Sequence, residues 1–116
     1  MNSSFPKQGE IWLVNFKPGR GSEQKGLRPA LILQNDTGNE YAATTIVAAI
    51  TTTLKLYPVT VLLKAHAFGL KKDSMVNLAQ LLTIDKKRLK KKIGSLDKDL
   101  MRKIDRALCV SLDLLF

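Results

Sequence analysis

The groups on which most enzymes rely are scarce in this chain of 116 residues, which has one cysteine and one histidine. A lone cysteine, Cys109, excludes an intrachain disulfide, and on a predicted helix among leucine and valine residues a free thiol behaves as a small apolar side chain. His66 cannot act as both the base and the acid of a two-histidine ribonuclease. Scattered carboxylates add no recognisable metal-ligand spacing. We therefore expect no metal and no other cofactor.

Long apolar runs are missing as well. No stretch is long enough to cross a bilayer, and no charged and then apolar leader stands at the N-terminus. The chain contains no internal repeat, low-complexity tract or linker between domains. Its length suits one domain over residues 1–116, in which residues 1–8 form a loose N-terminal end. These features predict a cytoplasmic protein with no membrane association.

Negative charge is in short supply. Nineteen lysine and arginine residues stand against ten aspartate and glutamate residues, for a formal net charge of +9. Such an excess is typical of proteins that bind nucleic acid, an acidic protein, or both. Six of the seven residues from Lys86 to Lys92 are basic. The alternative for that run is a solvated basic face, whereas a membrane-surface role is disfavoured because no broad apolar face accompanies it.

Short segments with a two-residue alternation dominate the chain up to residue 84. They predict strands over residues 11–16, 28–34, 44–53 and 56–63, and one or two more over 73–78 and 80–84. Residues 35–39 have turn chemistry. The lack of intervening helices favours an antiparallel barrel or sandwich. Leu100, Ile104 and Leu108 then recur at helical spacing after a possible cap at Asp97, which predicts one C-terminal helix.

A loop rich in hydrogen-bond donors precedes the second predicted strand and ends on Arg28 and Pro29. Glycine and proline restrict the shape of this loop, and polar groups next to a rigid strand are where binding sites tend to lie. The alternative is an ordinary hairpin loop that charge keeps soluble. Its polar and charged residues are Arg20, Ser22, Glu23, Gln24, Lys25 and Arg28.

Arg28 and nearby hydroxyl groups suit one class of chemistry. A guanidinium and hydroxyl donors can bind a phosphodiester and stabilise its anionic, five-coordinate transition state. RNA supplies its own nucleophile, the ribose 2′-hydroxyl, so a protein can cleave it without a metal. Arginine is a poor base because its guanidinium stays protonated in proteins, which favours an electrostatic role. The candidate hydroxyl donors are Ser22, Thr51, Thr52 and Thr53.

Four motifs in order along the chain resemble those of the MazF/PemK endoribonuclease toxins of type II toxin-antitoxin systems. The likeness runs from about Gly9 to Leu114. The motifs are GSEQKGLRP at Gly21 to Pro29, QNDTGN at Gln34 to Asn39, IVAAIT at Ile46 to Thr51, and DKKRL at Asp85 to Leu89.

The resemblance implies a mainly β fold with α, namely a small, partly open antiparallel β-barrel closed by a C-terminal helix. It implies a homodimer with a groove along its interface, and sequence-specific, metal-independent cleavage of single-stranded RNA that leaves a 2′,3′-cyclic phosphate and a 5′-hydroxyl. A cognate MazE-like antitoxin with an acidic, partly disordered C-terminal segment would occupy the same groove.

The resemblance also implies roles for particular residues. Arg28 and Thr51 would be catalytic. The RNA-binding residues would be Ser22, Glu23, Gln24, Lys25, Thr52, Thr53 and Gln80.

Two departures from the family pattern affect the expected RNA contacts. Ala79 and Leu82 stand where relatives often have an acid and a base, and the connection over residues 52–55 is about two residues shorter. Both bear on the recognised RNA sequence rather than on Arg28 or Thr51. One alternative is a catalytically weakened relative that only binds RNA or an antitoxin. Another is a gyrase-poisoning toxin of CcdB type, which depends on a C-terminal tryptophan, whereas the only tryptophan in this chain is Trp12.

Overall fold

The structure is a computed structural model that describes residues 5–16 and 26–114. Six strands form one antiparallel sheet in the order β4-β5-β3-β2-β1-β6. The strands are β1 Glu10–Asn15, β2 Leu27–Ile32, β3 Thr44–Thr51, β4 Thr60–Leu63, β5 Ser74–Asp85 and β6 Leu89–Ser95. The helices are α1 Asp36–Tyr41 and α2 Lys98–Leu112, and a single 3-10 turn spans Lys86–Arg88.

Apolar side chains cover the sheet on both faces. On one face, Ile104 and Ala107 of α2 pack into the larger core with Ile11, Leu31 and Leu63. On the other face lies a smaller cluster made of Val14, Ala30, Ile32, Val47 and Ile84, against which Trp12, Phe16 and Leu89 pack. The two-residue alternation of a strand sends neighbouring residues to opposite clusters.

The predicted C-terminal helix and its cap are confirmed. The Asp97 carboxylate accepts a hydrogen bond from the Leu100 backbone N–H at 2.9 Å, an interaction that typically contributes about 1 kcal/mol. Within the part of the chain that the structure describes, neither this helix nor α1 is both long and apolar enough to cross a membrane.

Two predicted boundaries are wrong. Residues 35–39 lead into helix α1, because the Asn35 side chain caps it by accepting from the Gly38 N–H at 2.7 Å. The fourth strand begins only at Thr60, whose hydroxyl closes a turn with the Tyr57 backbone. The predicted one or two strands over 73–78 and 80–84 are one strand, β5 Ser74–Asp85, which contains a bulge.

The sixth strand, β6, escaped prediction because half of it carries the lysine run. Lys91 pairs with Leu13 of β1, and Lys92 pairs with Trp12. Lysine is depleted in strands, so charge hid the pattern that Leu89 and Ile93 would otherwise have given. The exposed lysines lie on an edge strand, where charge opposes pairing with another sheet.

The two ends of the sheet are brought together by backbone contact. Residues 64–73, between β4 and β5, lie against β6 at the opposite end of the sheet. A Cβ atom on Gly69 would lie 2.0 Å from the Ile93 carbonyl oxygen, and one on Gly94 would lie 2.1 Å from that of Phe68. No described ladder joins β4 to β6, so the sheet curls without closing. The prediction of a partly open barrel is confirmed.

Glu10 fastens the start of β1 to its surroundings. Its carboxylate accepts hydrogen bonds from the Lys7 N–H and the Trp12 indole N–H, each at 2.9 Å, and forms a 3.0 Å ion pair with Lys92 of β6. Burial alone would raise the pKa of this carboxyl. The hydrogen bonds and the Lys92 charge outweigh that effect, so the pKa lies below its usual value.

This lowered pKa predicts a specific acid dependence of stability. The carboxylate stabilises the fold above the pKa of an unfolded glutamate, and the stabilisation is lost as pH falls through the lower folded pKa. We expect Glu10→Gln to lower the free energy of unfolding by about 1–3 kcal/mol at pH 7 and by less at pH 3. Urea unfolding at both pH values measures this. Equal losses at pH 7 and pH 3 would contradict the assignment.

Candidate active site

Two predicted site residues meet at the end of the β2–β3 ladder. The ladder pairs Ile32 with Val47 and continues to the pair of Ala30 with Ala49. Arg28 on β2 and Thr51 on β3 each lie two residues beyond this last pair. Both lie on the side of the smaller apolar cluster, away from α2.

A cleft of about 350 Å³ surrounds these two residues and includes a third predicted one, Gln80. The structure therefore brings Arg28, Thr51 and Gln80 together from three different strands. The described residues that line the cleft are Phe16, Arg28, Pro29, Ala49, Ile50, Thr51, Gln80 and Leu82.

Arg28 is positioned to receive an anion. Its side chain is exposed, and neither of the two ion pairs among residues 5–16 and 26–114 includes it. A guanidinium offers several N–H donors in a planar fork that matches the oxygens of a phosphate. Of the described lining residues it is the only ionisable one, so the charge of this part of the cleft is positive.

The Thr51 hydroxyl oxygen already accepts one hydrogen bond. Its Oγ1 accepts a hydrogen bond from the Thr53 backbone N–H at 3.1 Å, which fixes the turn that follows β3. A hydroxyl has one proton to donate in addition to its acceptor lone pairs. Thr51 therefore retains its proton for an oxygen atom bound beside Arg28.

Gln80 reaches the cleft because β5 is bulged. Ala48 pairs with Leu81 and Ala49 pairs with Asn77, so residues 78–80 have no partner on β3. The Asn77 side-chain oxygen accepts from the Ala79 N–H at 2.9 Å. Bulges often re-aim a side chain next to an active site.

The backbone of the bulge is also held from outside the strand. The Leu78 N–H donates to the Val59 carbonyl at 2.8 Å, and the Leu78 carbonyl accepts from the Ser111 hydroxyl of α2 at 2.7 Å. Sequence reasoning missed Asn77 and Ser111. An asparagine inside an otherwise apolar strand is the signal that could have indicated the bulge, since its side chain bonds nearby backbone.

The other predicted residues lie elsewhere. Thr52 lines a neighbouring cleft, and Thr53 is exposed beyond the end of β3. Ser22, Glu23, Gln24 and Lys25 fall outside the described residues. Phe16 and Leu82, which sequence reasoning did not select, line the cleft with Arg28.

The lone histidine and cysteine take no part in this arrangement. His66 is exposed in the segment after β4, and Cys109 is a half-buried free thiol on α2. Neither of them lines the cleft. In the described part of the chain, no three His, Cys, Asp or Glu residues are grouped as metal ligands.

Comparison with known proteins matches this sequence and fold to one family. The model of the PemK-like, MazF-like toxins of type II toxin-antitoxin systems matches residues 7–112. The chain belongs to this toxin family. The resemblance seen in the sequence motifs is thereby confirmed.

Individual relatives agree with the family match. This MazF-like chain is 44% identical to Endoribonuclease EndoA of Bacillus subtilis (strain 168) over 111 residues. The aligned region covers 94% of this chain and 96% of EndoA. An endoribonuclease from a mycobacterial species, solved in complex with its cognate antitoxin, is 25% identical with a TM-score of 0.80, covering 96% of this chain and 98% of that one. MazF from Deinococcus radiodurans is 27% identical with a TM-score of 0.76, covering 96% and 99%.

The role of Asn77 in shaping this MazF-like cleft is testable by amide hydrogen exchange. Asn77→Ala removes the acceptor of the Ala79 N–H, and the loss of about 1 kcal/mol should speed exchange of the amides in the bulge about fivefold. Asn77→Asp keeps an acceptor oxygen and should leave exchange close to that of the natural protein. Unchanged exchange in Asn77→Ala would show that the bulge does not depend on this side chain.

Proposed function

We propose that this chain is the endoribonuclease toxin of a type II toxin-antitoxin pair and that it cleaves single-stranded RNA in the cleft of Arg28, Thr51 and Gln80. The observation that supports it most is the convergence, at the end of one ladder, of a guanidinium that forms no ion pair with the described residues and a proton-donating hydroxyl. The family match and the endoribonuclease relatives support the same reaction class.

The reaction needs no nucleophile from the protein. The ribose 2′-oxygen forms a bond to the adjacent phosphorus, the bond from phosphorus to the 5′-oxygen breaks, and the products are a 2′,3′-cyclic phosphate and a 5′-hydroxyl. One proton leaves the 2′-hydroxyl and one is gained by the 5′-oxygen. Negative charge builds up on the phosphoryl oxygens in between.

Arg28 and Thr51 act on that charge. The Arg28 guanidinium holds the phosphoryl oxygens by charge-assisted hydrogen bonds, which are roughly twice as strong as neutral ones. The Thr51 hydroxyl donates its remaining proton to one of these oxygens. Arg28 stays protonated throughout, because a guanidinium does not give up its proton in proteins.

The remaining cleft residues select the RNA. Gln80 offers both a donor and an acceptor to a base edge, and the Phe16 ring offers a surface on which a base stacks. Ser22, Glu23, Gln24, Lys25, Thr52 and Thr53 add contacts along the strand. Because Ala79 and Leu82 carry no charge, this toxin recognises its motif with fewer ionic contacts than relatives that have an acid and a base there.

An acidic antitoxin and a second copy of the chain complete the proposed system. The net charge of +9 favours an antitoxin segment that competes with RNA for the cleft. Exposed apolar side chains, among them Ile46, Leu112 and Leu114, are suited to burial in a homodimer. Residues 1–116 act as one toxin unit, and its substrate places it in the cytoplasm.

Substitution of Arg28 tests the proposed chemistry most directly within the cleft. Arg28→Ala should lower the cleavage rate of a single-stranded RNA oligonucleotide about a hundredfold or more, because the transition-state charge loses its main partner. Arg28→Lys should recover part of the rate, since it keeps the charge without the planar fork. Initial rates in the presence of a chelator provide the measurement.

A matched control distinguishes the loss of an arginine in the cleft from the loss of an arginine elsewhere on the surface. Arg102 is an exposed arginine of α2, paired with Asp99 at 2.8 Å and outside the cleft, so Arg102→Ala should cleave at the natural rate. Thr51→Val, which keeps the shape but removes the hydroxyl, should lower the rate about tenfold. Cleavage by Arg28→Ala at the rate of Arg102→Ala would refute the role of Arg28.

A further inference from the structure

A second cleft, of about 520 Å³, is lined by residues of β1, of β6 and of the segment between β4 and β5. Apolar residues Leu13, Leu70 and Ile93 contribute to its lining, and three lysines line it as well. We call it the lysine-lined cleft, after Lys71, Lys72 and Lys91.

The lysine-lined cleft adjoins the candidate active site. Pro29 lines both clefts. Thr51, the last residue of β3, lines the first cleft, and the next residue, Thr52, lines the second. The two clefts thus adjoin at Pro29 and at residues 51 and 52.

The positive charge and the apolar surface of the lysine-lined cleft together suit a nucleotide. The two ion pairs among the described residues are Glu10 with Lys92 and Asp99 with Arg102, so Lys71, Lys72 and Lys91 have no acidic partner there. Lysine ammonium groups bind phosphate as point charges, and an apolar surface takes the flat face of a base. An acidic peptide would match the charge, but continuity with Arg28 favours the RNA strand.

The segment that carries two of the lysines has a fixed shape. The His66 N–H donates to the Leu70 carbonyl at 2.8 Å, and the Ser74 hydroxyl donates to the Lys72 carbonyl at 2.9 Å. His66, Phe68 and Gly69 all have positive φ, at 65°, 56° and 83°. Such conformations persist where the surroundings determine them, as the close approach of Gly69 to Ile93 does. The backbone of Lys71 and Lys72 is thus positioned before RNA binds.

We propose that the lysine-lined cleft binds the nucleotide one step beyond the scissile dinucleotide. The base lies against the apolar residues, and the phosphates bind Lys71, Lys72 and Lys91. This inference rests on the proposed function. The subsite adds affinity and base preference at one position without taking part in bond cleavage. Phosphate contacts position the strand, and contacts to the base specify it.

Binding of a non-cleavable oligonucleotide, with 2′-deoxyribose at the cut nucleotide, tests the phosphate contacts. Fluorescence anisotropy over a range of KCl concentrations compares the natural protein with the double variant Lys71→Gln, Lys72→Gln. We expect about tenfold weaker binding at low salt and a salt slope smaller by about 1.4, since each single-strand phosphate contact contributes about 0.7. The control Lys98→Gln, Lys103→Gln removes equal charge from exposed positions on α2 and should change neither.

Two cleavage measurements test the place of the subsite. The Lys71→Gln, Lys72→Gln variant should lose about tenfold in kcat/KM on a long oligonucleotide and nothing on a dinucleotide, which ends before the subsite. An abasic nucleotide one step beyond the scissile pair should weaken binding by the natural protein. Equal losses on both substrates, or no effect of the abasic nucleotide, would overturn the proposal.

The outcomes separate this inference from the proposed function. If the natural protein cleaves RNA while the Lys71→Gln, Lys72→Gln variant binds and cleaves like its control, only the subsite is refuted. If that variant instead loses affinity for an acidic antitoxin peptide with RNA binding intact, the cleft belongs to the antitoxin and the subsite is again refuted. A natural protein that cuts no RNA refutes the proposed function, whatever the lysine variant does.

Discussion

The fold depends on a backbone contact that leaves no room for side chains. Gly69 lies against Ile93, and Gly94 lies against Phe68, so closely that a Cβ atom on either glycine would overlap a carbonyl oxygen. This contact joins the segment after the edge strand β4 to the opposite edge strand β6. With its ends held together, the sheet curls around the core that α2 completes, and an open mouth remains where the lysine-lined cleft lies.

The proposed active site follows from the same curvature and from one irregularity. Regular pairing of β2 with β3 accounts for Arg28 and Thr51, because each simply continues the ladder. Gln80 needs the bulge of β5, whose backbone groups are satisfied by Asn77, Val59 and Ser111 rather than by a strand. Helix α2, the residue before β4 and a side chain of β5 itself thus help to position Gln80. The proposed chemistry is electrostatic, and such chemistry depends on donors held in place before the substrate arrives.

Local sequence signals predicted part of this structure well. The two-residue alternation located most of β1, β2 and β3, and helical spacing with the Asp97 cap located α2. Strand β6 was missed because lysines on a sheet edge look like a solvated charge run. The bulge of β5 and the approach of Gly69 to β6 depend on residues far apart in the chain, so no local pattern could indicate them.

The functional residues divide in the same way. Arg28 was selected from the residues alone, and the family resemblance singled out Thr51 among four candidate hydroxyl donors. The residues that hold the cleft in shape came only from the structure. Trp12, whose position argued against a CcdB-type toxin, packs beside the smaller apolar cluster and donates to Glu10 at 2.9 Å. Its role is therefore structural. The lysines that obscured β6 lie on the edge of the sheet, and one of them, Lys91, contacts the RNA strand in our proposal.

The most direct test of this account is to incubate the purified protein with a long RNA in excess chelator and to map the new ends. The account predicts cuts at one short repeated motif in unpaired regions, with 2′,3′-cyclic phosphate on one side and 5′-hydroxyl on the other. RNA that stays intact, or products with 5′-phosphate ends, would contradict it.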